Sequence, residues 1–317
     1  MAKQQSTKTI GVPLKTRTSG GLWSLGTTSD FDVATIVMII VSVVTAYLVL
    51  PPLYSVIQTS LFTTKLTGEI DEFTLRYYQD LLRELQVIGP FLNTFYFSLG
   101  SALLATLLGG SIAWIVTRTD SPLRGLGYFT AFASFGTPFI LYTIGWLLLL
   151  GRAGPVNYWL KTVLDQPGPV VNIYSLFGMI FIESLLWSPF VFLMLAATFR
   201  SMDPSLEEAS SVCGARVWQT MRRISLRLML PAFFSVMLLI FIRSFESFEI
   251  PALVGLPGDI RVLTTSIYLD AQKLPPKYGS AGAFSVLLML VVAATLYFYF
   301  RITREGDRFH TVTGKGY

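Results

Sequence analysis

Long stretches of this chain carry no charge, and their lengths set the first expectation. Residues 33–64, 85–117, 125–151 and 278–300 contain no Asp, Glu, Lys or Arg, and each exceeds the roughly 20 residues a helix needs to cross the hydrocarbon core of a bilayer. Two further windows are interrupted: 166–199 carries only Glu183, and 228–247 carries Arg243 and Glu246 near its far end. Six spanning helices are predicted, the third over about 126–150, the fourth over about 173–199 and the fifth from about residue 228. Pro51 and Pro52 should kink or end the first, because proline removes a helix hydrogen bond. In "EFTLRYYQDLLRELQ" (72–86), Leu75, Tyr78, Leu81, Leu82 and Leu85 recur at helical spacing, which predicts a short amphipathic helix on the outer surface. A second interfacial helix is expected at "VNYWLKTVLD", between Gly154-Pro155 and Pro167-Gly168-Pro169. The pattern therefore predicts an all-α integral membrane protein: a polar tail over 1–30, a six-helix membrane domain over 31–305 and a second tail over 306–317.

Composition supports the bilayer as solvent. With 317 residues, 52% hydrophobic and 14% charged, and a mean hydropathy of +0.58, the chain is too apolar for a soluble domain of this size. The first apolar window follows 32 polar residues and has no small-residue cleavage pattern, so it reads as a retained span and not as a signal peptide. Of the 24 Lys and Arg, 15 fall in the N-terminal tail, the 118–124 turn, the 200–227 loop and the tail after residue 300; eight fall in the opposite loops. The positive-inside rule then places both termini and the 200–227 loop in the cytoplasm. A net charge of +5 reads as membrane orientation and contact with lipid headgroups, with no call for nucleic acid. The single cysteine, Cys213, excludes an intramolecular disulfide, and the single histidine, His310, leaves no His-based metal site or Ser-His-Asp triad.

One polar segment stands out between the fourth and fifth spans. In "MDPSLEEASSVCGA", Asp203 is placed to cap a helix, Pro204 suits its first position, and Glu207 and Glu208 fall in the opening turns, where carboxylates favour the helix dipole. Leu206, Ala209, Ser210 and Cys213 then form a small-residue stripe suited to close approach by another surface. Gly214 allows a sharp change of direction. Beyond it Val217, Met221, Ile224 and Leu228 make a second stripe, while Arg216, Arg222, Arg223 and Arg227 hold that helix at the cytoplasmic interface.

These residues carry a family resemblance. Glu208-Ala209-Ser210, Gly214-Ala215 six positions after the glutamate, Ile224-x-Leu226 and Leu230-Pro231 resemble the EAA loop of the permease subunits of ABC importers. Ser210 stands where that family has alanine, and Arg227 where it usually has a first proline. "FLNTFYFSLGSALLATLLGGSIAWIVTRTDSPLRG" and "SFEIPALVGLPGDIRVLTTSIY" are similar to further stretches of those permeases, closest to the ferric-iron branch, so that roughly residues 32–305 are covered. The resemblance implies the type I importer permease fold, with the 203–223 loop as a coupling helix seated in a cleft of a cytoplasmic ATPase dimer. Asp203, Leu206, Glu207, Glu208, Ala209, Ser210, Cys213, Gly214 and Ala215 would make up that coupling surface. It further implies a second permease half, an extracytoplasmic binding protein, and residence in a bacterial or archaeal inner membrane. The ending "RFHTVTGKGY" is similar to the connector of fused permeases, so the chain reads either as a single half or as the first half of a longer protein. No G-x-x-x-x-G-K-[ST] occurs, so ATP and magnesium are expected on the partner ATPase and not on this chain. The cargo implied is ferric iron; polyamine, thiamine, phosphonate, sulfate and sugar are the alternatives.

Three charged residues inside spans are candidates for a pathway or gate. Glu183 either lines the route or is a hydrogen-bonded packing residue, since a bare mid-membrane charge is costly. Arg243 and Glu246, three apart on one face, either pair with each other or serve as a gate or binding-protein contact. A gradient-driven secondary transporter is the rival reading, for which broken spans and midplane carboxylates are the signature. An integral membrane enzyme would need clustered acids, His or Cys at the inner interface, and none assemble in the sequence.

Overall fold

The computed structural model describes residues 33–64, 70–83, 87–165, 168–203 and 205–306. The expected tails, with His310, and Pro204 lie outside the described residues. The chain divides into two units, Met1–Pro51 and Pro52–Tyr317. In the first, residues 33–51 are helical and exposed throughout, an apolar rod with no internal core of its own. Helix α1 (Val33–Leu61) continues through both prolines, so of the expected kink or end at Pro51-Pro52 the end does not occur. A spanning helix tolerates proline better than an aqueous one does.

Among the described residues, six stretches are long and apolar enough to cross a membrane: Val33–Leu61, Ile88–Arg118, Phe139–Leu164, Leu176–Ser201, Val217–Phe245 and Tyr278–Arg301. The third differs from its expectation. Residues 126–150 are not one helix but two, α4 (Arg124–Phe135) and α5 (Phe139–Leu150), because Gly136 ends the first and Pro138, extended at ψ 137°, starts the second. After α5 the chain turns at Gly151–Gly154 into α6 (Pro155–Leu164), a helix where the second interfacial one is expected. Asn157 pins that turn by donating to the carbonyls of Leu150, Gly151 and Val171.

Among the described residues the strands are one short antiparallel pair, β1 (Phe62–Thr64) with β2 (Ile70–Phe73). Residues 72–73, expected in the amphipathic helix, belong to β2, and that helix is the shorter α2 (Arg76–Arg83). It docks on protein: Tyr77 packs directly over Gly279, and Tyr78, Leu81 and Phe284 share a core cluster.

The main core lies between α3 (Ile88–Arg118) and α7 (Leu176–Ser201). Their contact is built from small side chains: Ser98, Ser101, Ala102, Ala105, Gly109 and Ala113 on α3 are all buried. Small residues let helix backbones approach closely where lipid supplies no hydrophobic drive between them. At Gly109 an added Cβ would fall 2.5 Å from the Ser188 carbonyl oxygen. The fifth span packs against this pair as α9 (Val217–Thr220), a π-turn (Met221–Ser225) and α10 (Leu226–Phe245) in one run. It therefore starts before residue 228. The connection after α10 follows through Pro251–Gly255 and Leu256–Gly258 to α11 (Leu263–Gln272), and α12 (Tyr278–Gly306) packs against α10 and α11.

Candidate functional site

The polar segment after α7 forms a helix, α8 (Ser205–Val212), with no buried residue. Asp203 Oδ1 accepts from the Ser205 amide at 2.9 Å, a side-chain cap on the first turn. The helix ends at Val212, and the chain turns at Gly214, whose φ of +79° is a conformation that glycine adopts without steric cost. The Ala215 amide returns to the Ser210 carbonyl at 3.1 Å, and Ser210 and Thr220 hydroxyls meet at 2.9 Å. A compact turn thus folds α8 back against α9.

The expected stripe divides. Leu206 is 48% exposed and Glu208, Ala209, Cys213 and Gly214 are exposed with it, whereas Ser210 and Ala215 are half-buried against α9. Of the second stripe, Met221 and Ile224 are half-buried and Val217 and Leu228 exposed, while Ser225 and Met229 are buried. The π-turn adds one residue to a turn and so rotates the following positions by about 100° relative to an unbroken helix.

Glu207 does not point outward with its neighbours. Its Oε2 lies 3.3 Å from Nε of Arg118, with the two side chains 20% and 15% exposed, and its Oε1 accepts from Ser225 Oγ at 2.6 Å. Arg118 also donates to the Phe199 carbonyl at 2.8 Å. The sequence pattern did not single out Arg118 or Ser225. Arg118 read only as one more inner-face charge, and Ser225, outside the second stripe, is buried in the π-turn.

Toward the other end of the bundle, Glu183 is 1% exposed. It accepts from Trp187 Nε1 at 2.9 Å and from Ser247 Oγ at 3.1 Å, and the Ser247 carbonyl accepts from Thr264 Oγ1 at 2.8 Å. The carboxyl is enclosed by its own chain, tying α7 to the C-terminal end of α10 and to α11. Arg243 and Glu246 do pair, at 3.8 Å and roughly half exposed, and the Arg243 guanidinium lies 5.6 Å from the Trp187 ring centroid. The three candidates are therefore neighbours around Trp187, with Glu183 inside and the ion pair outside.

Residues 105–303 match the family described as binding-protein-dependent transport system inner membrane component. The chain belongs to this family. The permease is 28% identical over 249 residues to the putative ferric transport system permease protein FbpB 1 of Haemophilus influenzae, across 78% of this chain and 38% of that protein. It is 26% identical over 230 residues to the sulfate transport system permease protein CysW of Escherichia coli K12, across 71% and 77%. A bacterial alginate ABC transporter solved with its alginate pentasaccharide-bound periplasmic protein contains a chain that superposes with a TM-score of 0.71 at 19% identity, covering 86% of the permease and 94% of that chain. The last likeness establishes the fold, that of type I ABC importer permeases. The permease spans little more than a third of the length of the ferric relative.

Proposed function

We propose that this chain is one membrane-spanning half of a binding-protein-dependent ABC importer, moved by a separate cytoplasmic ATPase that docks on α8. The observation that carries the reading is the family match over residues 105–303, which contains α8 with its outward face of Leu206, Glu208, Ala209 and Cys213. Six spans do not enclose a hydrophilic route alone, so the route is proposed to run between this chain and a second permease half. A rigid helix held in the ATPase cleft converts closure of the ATPase into rocking of the spans, which is coupling through a two-state interface.

For cargo we favour ferric iron, on the similarity to a ferric transport permease, with selection made by an external binding protein. The similarity to a sulfate permease makes sulfate the natural competitor in the assay. In proteoliposomes containing the permease, its ATPase and the co-purifying binding protein, uptake of radiolabelled ferric iron is expected to need internal ATP. Uptake driven by a proton or sodium gradient without ATP would eliminate the importer reading. ATP-driven uptake of sulfate in place of iron would correct the cargo alone.

A further inference from the structure

Of the two adjacent carboxylates of α8, Glu208 is exposed, while Glu207 is partly buried and reaches both Arg118 and Ser225. We propose that Glu207 is a positioning residue that ties α8 to the membrane bundle through Arg118 and Ser225, carrying movement of the docked ATPase into the second, fourth and fifth spans, while Glu208 is left to meet the ATPase. The proposal rests on the reading of α8 as the docking helix.

Three helix ends converge on this pair. Arg118 is the last residue of α3, and it donates to Phe199 in the last turn of α7. C-terminal ends carry the negative pole of a helix, so one guanidinium serves two of them. Glu207 stands in the first turn of α8, where the positive pole favours a carboxylate. Its other oxygen takes the hydroxyl of Ser225 in the π-turn between α9 and α10 of the fifth span. Glu208, one position on, is exposed and reaches none of these partners in the hydrogen bonds and ion pairs described.

The alternative is a clamp that only stabilises the inner face. Removing one partner of a partly buried pair strands the other charge, whereas removing both does not, and that difference separates the two roles. Wild type, Glu207→Gln, Glu207→Ala, the double variant Arg118→Ala/Glu207→Ala and Glu208→Lys are each co-purified with the ATPase in lipid nanodiscs. Hydrogen exchange is then read with and without MgATP plus vanadate, normalised to recovered complex. In wild type, nucleotide is expected to change exchange both in α8 and in the outer segment 247–262. Glu207→Ala should keep the change in α8 and lose about fivefold or more of the outer one, with Glu207→Gln in the same direction but smaller, and the double variant should recover stability but not transmission. Glu208→Lys should lower recovery of the ATPase and leave transmission per recovered complex intact. Undiminished outer change in Glu207→Ala, or its return in the double variant, overturns the proposal. Failure of wild type to retain any ATPase overturns the docking reading itself, and this one with it.

Discussion

At the residue scale, burial decides what each acid in this chain does. Glu183, Glu207 and Glu208 are the same chemical group, yet one is sealed among helices, one is pinned at a junction and one is free at the surface. For Glu183 the enclosing partners are Trp187 and Ser247. Glu183→Ala leaves both donors without an acceptor inside the bundle, at an expected cost of about 2–4 kcal/mol. Glu183→Gln keeps a carbonyl for Trp187 and an amide for Ser247, and should cost under about 1 kcal/mol. Denaturant unfolding in one detergent, followed by Trp fluorescence, measures both. Equal losses for the two variants would mean that the hydrogen bonds are not what holds Glu183. The sequence left Glu183 open between route and packing, because a charge inside an apolar window shows its cost but not its partners.

At the element scale, the fold depends on how closely α3 and α7 approach. Gly109 has Ser188 backbone and the Val191 side chain where a Cβ would sit, so Gly109→Leu must push the helices apart, at an expected cost of about 3 kcal/mol or more. Gly125, with open space at its Cβ position, should tolerate alanine within about 0.5 kcal/mol. Thermal unfolding of the two variants side by side tests the pair. Window length and charge gave the positions of α3, α7 and α12, since a spanning helix needs only length and apolarity. They gave the third span wrongly as one helix, because a window free of charge does not register the break that Gly136 and Pro138 impose. The amphipathic spacing at 75–82 located α2 but not its docking surface, since lipid and protein present similar apolar partners.

At the scale of the whole molecule, the exposed surface tells what is missing. Tyr47, Leu48, Leu50 and their neighbours in the first unit are exposed, and so are Leu148, Phe132 and Phe300 in the second. Apolar surface on this scale must meet lipid or protein. On the importer reading part of it meets a second permease half. Native mass spectrometry of the complex extracted with its ATPase should therefore find two permease halves and two ATPase subunits. A stoichiometry of one six-span half per two ATPases would contradict the placement of the route between halves.

The sequence by itself determined the solvent, the number of spans and the location of the polar segment between the fourth and fifth. Those follow from local composition and from period, which each residue carries into any fold. It also carried the helix start near Asp203 and the turn at Gly214, because capping and positive φ are properties of a few neighbouring residues. Only the tertiary structure decided that Glu207 turns inward, that Arg118 and Ser225 receive it, and that Glu183 is sealed. Those facts depend on pairs 18, 64 and about 90 residues apart in the chain and on one extra residue in a π-turn, and no local pattern specifies which distant side chain a buried charge will meet.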